Sequence, residues 1–204
     1  MIRMNSLLLA TACLLLASSV LAVPRPNAAP SQPELTFTSG PLRIFRSNED
    51  GQWYWYMTYG VENNTGRDQI WVPSMVLYTD QGEILEGGRR VSSAVTDEIM
   101  TYMGDPFLEP QYAIIGELKQ GRGNARTGLT VWPANKTDVN ELALFVAGLS
   151  SETLVVEHPL TKEDVVLRKT LKRDYLIPGR ATGRGDRPVE LHPDSPQHEV
   201  WIFR

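Results

Sequence analysis

Gln52-Trp53-Tyr54-Trp55-Tyr56-Met57-Thr58-Tyr59-Gly60-Val61-Glu62 is the stretch whose reading decides the fold. Side chains on a strand alternate between two faces. Trp53, Trp55, Met57, Tyr59 and Val61 therefore share one face, and Tyr54, Tyr56, Thr58, Gly60 and Glu62 share the other. An aromatic-rich run of this period reads as a strand. Its first face is the more apolar and is assigned to the core. Just before it, Asn48-Glu49-Asp50-Gly51 ends in a dipeptide that readily takes the positive-φ positions of a hairpin turn. Leu35–Thr38 and Leu42–Phe45 supply strand signals upstream.

Downstream, Asn63–Gly66 makes a turn, and Ile70–Val72 and Met75–Thr79 read as one strand interrupted at Pro73. Proline lacks the amide donor, so Pro73 is expected at a bulge or a sheet edge. Asp80-Gln81-Gly82 turns the chain into Glu83–Leu85. Val95, Ile99, Tyr102 and Met103 fall on one helical face, which predicts a helix over Ala94–Met103. Ser92 or Ser93 can cap its start, and Gly104 followed by Pro106 can end it. Tyr112–Lys119 reads as a second short helical turn. Strand signals resume at Leu129–Trp132, and Leu142–Ala147 has the continuous apolar character of a central strand. Leu154–Glu157 and Val165–Leu171 read as the arms of a hairpin. About eight to ten short strands with closely spaced turns indicate a mainly β protein built as an antiparallel β-sandwich. The helical insertion near 94–119 then packs at one end.

The ends of the chain bear on where it works. Met1–Ala22 has Arg3, a short apolar core at Leu7–Leu16, and small residues at Val20-Leu21-Ala22. This is the pattern of a secretory signal peptide cleaved after Ala22, and its core is too short for the roughly 20 residues of a membrane span. The only cysteine, Cys13, lies within it, and Ala10, rather than leucine, stands three residues before it, which argues against lipidation. The expected mature chain thus has no disulfide, thiolate metal site or cysteine nucleophile, and is periplasmic or extracellular. Val23–Pro33 carries four prolines and reads as a linker. A sandwich domain is expected over 34–177, and a flexible C-terminal tail with an apolar end over 178–204. The formal net charge of −4 offers no basic field for nucleic acid, and no later run is apolar enough to cross a membrane.

A resemblance adds to this. Val61-Glu62-Asn63-Asn64-Thr65-Gly66, then Val76-Leu77-Tyr78-Thr79-Asp80-Gln81-Gly82, are similar to a recurring pattern in exported bacterial immunoglobulin-like domains. Gly128–Trp132 followed by Glu141–Val146 is similar to their later strands, and Gly51 to Tyr175 resembles an uncharacterised family of signal-bearing proteins of planctomycete bacteria. The resemblance implies an immunoglobulin-like sandwich and an exported location. Its motifs specify turns and core positions, so it implies no catalytic residue.

Four residues stand out as candidate partner contacts. Tyr54 and Tyr56 point the same way about 7 Å apart, a spacing that suits stacking on a sugar or an apolar surface; cover from the Ala94–Met103 helix is the alternative. Trp201 and Phe203 lie in the apolar end Val200–Phe203, which can add as a strand to a sheet edge, in trans or in cis on its own domain. Lys169, Lys172, Arg173, Arg180, Arg184 and Arg187 form a basic stripe suited to anionic lipid, polysaccharide or an acidic partner. Arg184-Gly185-Asp186 matches an adhesion tripeptide, but the flanking Gly183 and Pro188 already explain a loop. His192-Pro193-Asp194 and His198-Glu199 could assemble a metal site with His158, but His192 and His198 fall in the expected flexible tail and lack the rigid frame a metal needs, so no metal or cofactor is expected. Asn63-Asn64-Thr65 and Asn135-Lys136-Thr137 match the glycosylation sequon. There is no Gly-x-Ser-x-Gly elbow. The sequence therefore points to an exported, non-catalytic binding or structural module whose partner is an envelope protein or a cell-surface polysaccharide. The alternative is a carbohydrate-active hydrolase or glycan-binding protein on a sandwich scaffold, which calls for a concave face with paired carboxylates and aromatics.

Overall fold

The computed structural model describes residues 34–194 and 199–204. The stretches read above as a signal peptide (Met1–Ala22) and a linker (Val23–Pro33), and His198, lie outside the described residues. In chain order the elements are β1 (Leu35–Arg46), β2 (Trp53–Asn63), β3 (Gln69–Trp71), β4 (Ser74–Thr79), β5 (Ile84–Glu86), α1 (Ser93–Met103), β6 (Leu108–Pro110), α2 (Gln111–Ile114), β7 (Gly116–Leu118), β8 (Arg126–Pro133), β9 (Glu141–Ala147), β10 (Thr153–Glu157), β11 (Asp164–Leu176), β12 (Glu190–Leu191) and β13 (Val200–Phe203).

The strand β2 does what its alternation predicts. It sits inside a four-stranded sheet of order β1-β2-β8-β6. Trp55, Met57, Tyr59 and Val61 face the main core, where they meet Met75 and Leu77 of β4, Leu142, Leu144 and Val146 of β9, and Leu171 and Tyr175 of β11. Those partners belong to a seven-stranded sheet in which β10-β11-β9-β4-β5 form the path and β12 and β13 bond β11. The two sheets stack as a β-sandwich, and β9 is the central strand its apolar run predicts. Among the described residues the strand ladders are antiparallel except β6 with β8, and a single parallel bridge joins Asn63 of β2 to Gln120.

The other face of the four-stranded sheet is covered too. Tyr54 and Tyr56 of β2 and Leu129 and Val131 of β8 pack against Val95 and Ile99 of α1. The helix is placed by its caps. Ser92 Oγ accepts a hydrogen bond from the Val95 amide at 3.2 Å, and Gly104, at φ 64°, donates its amide to the Met100 carbonyl. A helical layer thus lies outside one sheet of the sandwich.

Three expectations change. Leu35–Thr38 and Leu42–Phe45 are one strand, β1, with a register shift between Ser39 and Leu42. Ile70–Val72 and Met75–Thr79 are not one strand: β3 pairs β7 in a separate two-stranded ribbon, and β4 joins the seven-stranded sheet. Pro73 stands at the crossing between them, where a missing donor costs no ladder bond. The stretch 178–204 is not a flexible tail over its described residues. Ala181 and Val189 are buried in the main core, and the Val189 amide donates to the Leu42 carbonyl at 2.8 Å. Its glycines and prolines make turns that lay the chain back on the sheet. Among the described residues no helix is long and apolar enough to cross a membrane.

The Asp50-Gly51 turn is fastened by acids. Glu98 of α1 accepts hydrogen bonds from the Ser47 hydroxyl at 2.5 Å, the Asn48 amide at 2.9 Å and Asn48 Nδ2 at 2.7 Å. Asp50 accepts from the Tyr54 hydroxyl at 2.6 Å and the Gln52 amide at 2.9 Å. The Ser47 and Asn48 bonds hold Glu98 below its ordinary value of 4.5, and the Tyr54 bond, with that from Gln52, holds Asp50 below 3.8. A lowered folded pKa gives stability that is present above the unfolded value and is lost as pH falls through the folded one. The protection of the Asn48 amide, its exchange rate relative to an unfolded chain at the same pH, is therefore expected to fall on acidification below about pH 4.5. Glu98→Gln keeps an acceptor that does not titrate, so in that variant the fall in protection should largely vanish; an unchanged pH profile would assign the effect elsewhere.

Candidate functional site

The four residues singled out from the sequence do not form an open binding face. Tyr54 is 6% exposed and Tyr56 2% exposed, because α1 lies across them. Burial is the main cause that pushes both phenols up to about 12. Tyr56 also meets the Phe45 ring edge-on at 6.3 Å. Stacking on an outside ligand is corrected to packing under a helix. The C-terminal pair is used in cis: Trp201 lies opposite Leu171 and Phe203 opposite Lys169 in the β11–β13 ladder. Trp201 packs on the main core, and the Lys169 ammonium stands 5.9 Å from the Phe203 ring centre.

The basic stripe is largely neutralised. Lys169 Nζ pairs with Glu152 at 2.8 Å, Lys172 with Asp174 at 2.8 Å, and Arg173 with Glu199 at 3.2 Å. Arg184 is buried and donates to the carbonyls of Pro178 and Pro188. Asp186 accepts from the Tyr102 hydroxyl, and its carbonyl accepts from Arg43 Nε. The Arg-Gly-Asp tripeptide is therefore a packed turn, not an adhesion tip. His158 Nδ1 accepts amides of its own loop. Among the described residues no cluster of three or more histidine, cysteine or acidic residues could hold a metal ion. Asn63 is fully buried and donates to the carbonyls of Arg67 and Leu118, which closes the first sequon to sugar.

The site geometry instead favours a cleft that sequence reading did not single out. It lies where α1, α2 and the segment after β5 meet the outer face of β8, and it encloses about 380 Å³. Leu129 and Val131 floor it, Val91, Ser93 and Thr96 form one wall, and Gln111, Tyr112 and Ile115 the other. No acidic, basic, histidine or cysteine side chain lines it. Gly87 and Gly88 shape one rim. The Gly88 amide donates to the Val131 carbonyl at 2.8 Å, and a Cβ at Gly87 would stand 2.5 Å from Thr130 Cγ2 and 2.8 Å from Gln111 Oε1. Only glycine lets this segment lie so close to the sheet. Gln111 Nε2 donates to the Pro73 carbonyl at 3.3 Å, while its Oε1 has no partner among the described residues.

The rim continues onto an apolar surface. Tyr112 is 64% exposed and Ile115 50% exposed. The β3–β7 ladder ends with Trp71 opposite Gly116, so Val72 and Ile115 are the next residues on its two strands, while Ile70 lies opposite the exposed Glu117. Ile70 and Val72 are both exposed.

No family model, curated protein or solved structure matches the chain.

The reading of the site rests on its residues alone. The signal that could have found it was present: Ile70, Val72, Tyr112 and Ile115 are large apolar residues beside turn and proline signals. What was absent from the sequence is the β3–β7 pairing that gathers them.

Proposed function

We propose that this protein is an exported, non-catalytic binding module of the cell envelope, and that it docks a protein partner through the cleft between α1 and α2. The observation that carries this reading is a mainly apolar cleft, with no acidic, basic, histidine or cysteine side chain in its lining, whose rim carries exposed Tyr112 and Ile115. An apolar concavity with an apolar rim suits an inserted aliphatic or aromatic side chain, with polar groups such as Ser93 and Gln111 setting its orientation. Export rests on the signal pattern of Met1–Ala22. Hydrolysis of a glycan calls for two carboxylates flanking a sugar, and the cleft walls supply none. Glycan binding keeps one foothold, the exposed ring of Tyr112, which could stack on a sugar face.

The test is a crosslinked pull-down from envelope extract, read by mass spectrometry, with the Ile115→Arg variant run beside the unaltered protein. One dominant protein partner, lost by at least tenfold in the variant, supports the reading. No protein partner, with the chain retained on a polysaccharide fraction and released by Tyr112→Ala, replaces it with glycan binding.

A further inference from the structure

The hairpin of β10 and the start of β11 carries a second surface, away from the cleft. In its ladder Val155 lies opposite Val166, Leu154 opposite Leu167, and Val156 opposite Val165. Val155 and Val166 are each 57% exposed, and Leu154 is exposed on the other face. Both faces of this arm are therefore apolar and open.

Among the described residues no strand pairs with the outer edge of β10. The His158 amide donates to the Glu163 carbonyl, and the Lys169 amide to the Glu152 carbonyl. Hydrogen-bonded and non-bonded pairs alternate along an antiparallel ladder. The backbone groups of Leu154 and Val156 therefore point to β11, and those of Thr153, Val155 and Glu157 point outward. Arg168 lies opposite Thr153 on one side and exchanges backbone bonds with Arg204 on the other. β13 thus takes the far edge of β11, and β10 has no strand partner but β11 among the described residues. Natural edge strands are blunted by short length, charged side chains, proline or bulges. β10 is five residues long, but Thr153-Leu154-Val155-Val156-Glu157 has no proline, lysine or bulge, and its one charge stands at its end.

We infer that this edge pairs with the same edge of a second copy, antiparallel about a two-fold axis at Val155. The occupant follows from self-complementarity. In that register Val155 meets Val155 of the second copy, and Thr153 meets its Glu157, each through the outward backbone groups. Every central row across the four strands is then apolar: Val166 and Val155 continue into the same pair, and Leu167 and Leu154 continue into Val156 and Val165. Across the four strands the flanking row then reads Arg168 and Thr153 of one copy followed by Glu157 and Asp164 of the other, so at both ends of the contact a cationic side meets an acidic one across Thr153. The present partner of Glu157, Lys162, is a surface contact with both side chains more than half exposed, so little opposes the exchange. A parallel pairing in register would instead stack Glu157 on Glu157. The contact is shorter than standard interfaces of roughly 1,200–2,000 Å², so association is weak and depends on concentration. A closed two-fold dimer is also the commonest homo-oligomer.

Cysteine crosslinking reads the register directly. Opposed residues of a hydrogen-bonded pair have Cα atoms about 5.5 Å apart, within disulfide range. In a Cys13→Ser background, Val155→Cys is expected to form a covalent dimer on mild oxidation. Thr153→Cys alone and Glu157→Cys alone should stay monomeric, and an equimolar mixture of the two should crosslink. Sedimentation of the unaltered protein should show a reversible dimer at high concentration. Arg168→Glu should weaken it at least fivefold, and Glu157→Lys/Arg168→Glu should restore it. A protein that stays monomeric at about 1 mM, on the affinity scale of the weakest specific contacts, or equal crosslinking at all three positions, overturns the inference. So does a monomer whose β10 edge is taken by an unrelated extended peptide.

Discussion

Gly128→Ala is expected to cost about 3 kcal/mol, the upper end of what overpacking a core does. Gly128 lies on β8 opposite Tyr59 of β2, on the face that looks into the sandwich. The Tyr59 ring occupies the space a Cβ would need, and Ile114 Cδ1 stands 2.6 Å from that same point. Neither can give way easily. The Tyr59 ring is stacked on Phe37 at 5.4 Å and meets Trp71 edge-on at 5.8 Å. A single added methyl therefore presses on three aromatic rings and on α2. For a domain of this size the loss corresponds to a fall in melting temperature of roughly 6–12 °C. Chemical denaturation of the two proteins checks it. Gly183→Ala is the control, because a Cβ there meets nothing within 4 Å and φ is not positive. A Gly128→Ala protein as stable as that control would mean the sheet can breathe at this position.

The second large effect is asymmetric. The Lys169 side chain is 3% exposed and pairs with Glu152, whose side chain is 24% exposed. Removing one partner of a buried pair strands the other, at about 3–5 kcal/mol. Glu152→Gln leaves the buried ammonium without its counter-charge and is expected to cost about 3 kcal/mol. Lys169→Met removes the buried charge, keeps an unbranched side chain against Phe203, and leaves Glu152 with access to water. It is expected to change stability by less than about 1 kcal/mol, or to raise it. Equal losses in the two variants would show that packing of the lysine stem, rather than its charge, is what matters.

The parts of the fold that were legible are those in which one local pattern suffices. The alternation of Trp53–Val61 is maintained by burial on both sides, and the Ser92–Gly104 helix carries its own caps. The reading failed where distant residues decide. The tyrosines at Tyr54 and Tyr56 were correctly placed on the outer face of β2, yet whether that face is wet depends on where α1 lands. The arginines and glycines of 178–194 have the composition of a linker. Buried Arg184 shows how such a stretch can still pack, because its guanidinium satisfies the Pro178 and Pro188 carbonyls that the turns leave open. The cleft was illegible for the same reason: Val91, Ile115 and Val131 are far apart in sequence and meet only where α1 and α2 pack on β8.

The link between Leu42 and Val189 bears on when the fold can form. The first strand is held in place partly by residues near the end of the chain, through the Val189 amide and through Arg43 on the Asp186 carbonyl, 143 residues away. β11 likewise waits for β13 to complete its far edge. Contacts so distant in sequence make folding slow. A nascent chain that has delivered only its first two sheets' worth of strands lacks the piece that closes them. Such a chain gains these closing contacts only when synthesis is nearly finished, so its two ends must meet before the fold is complete.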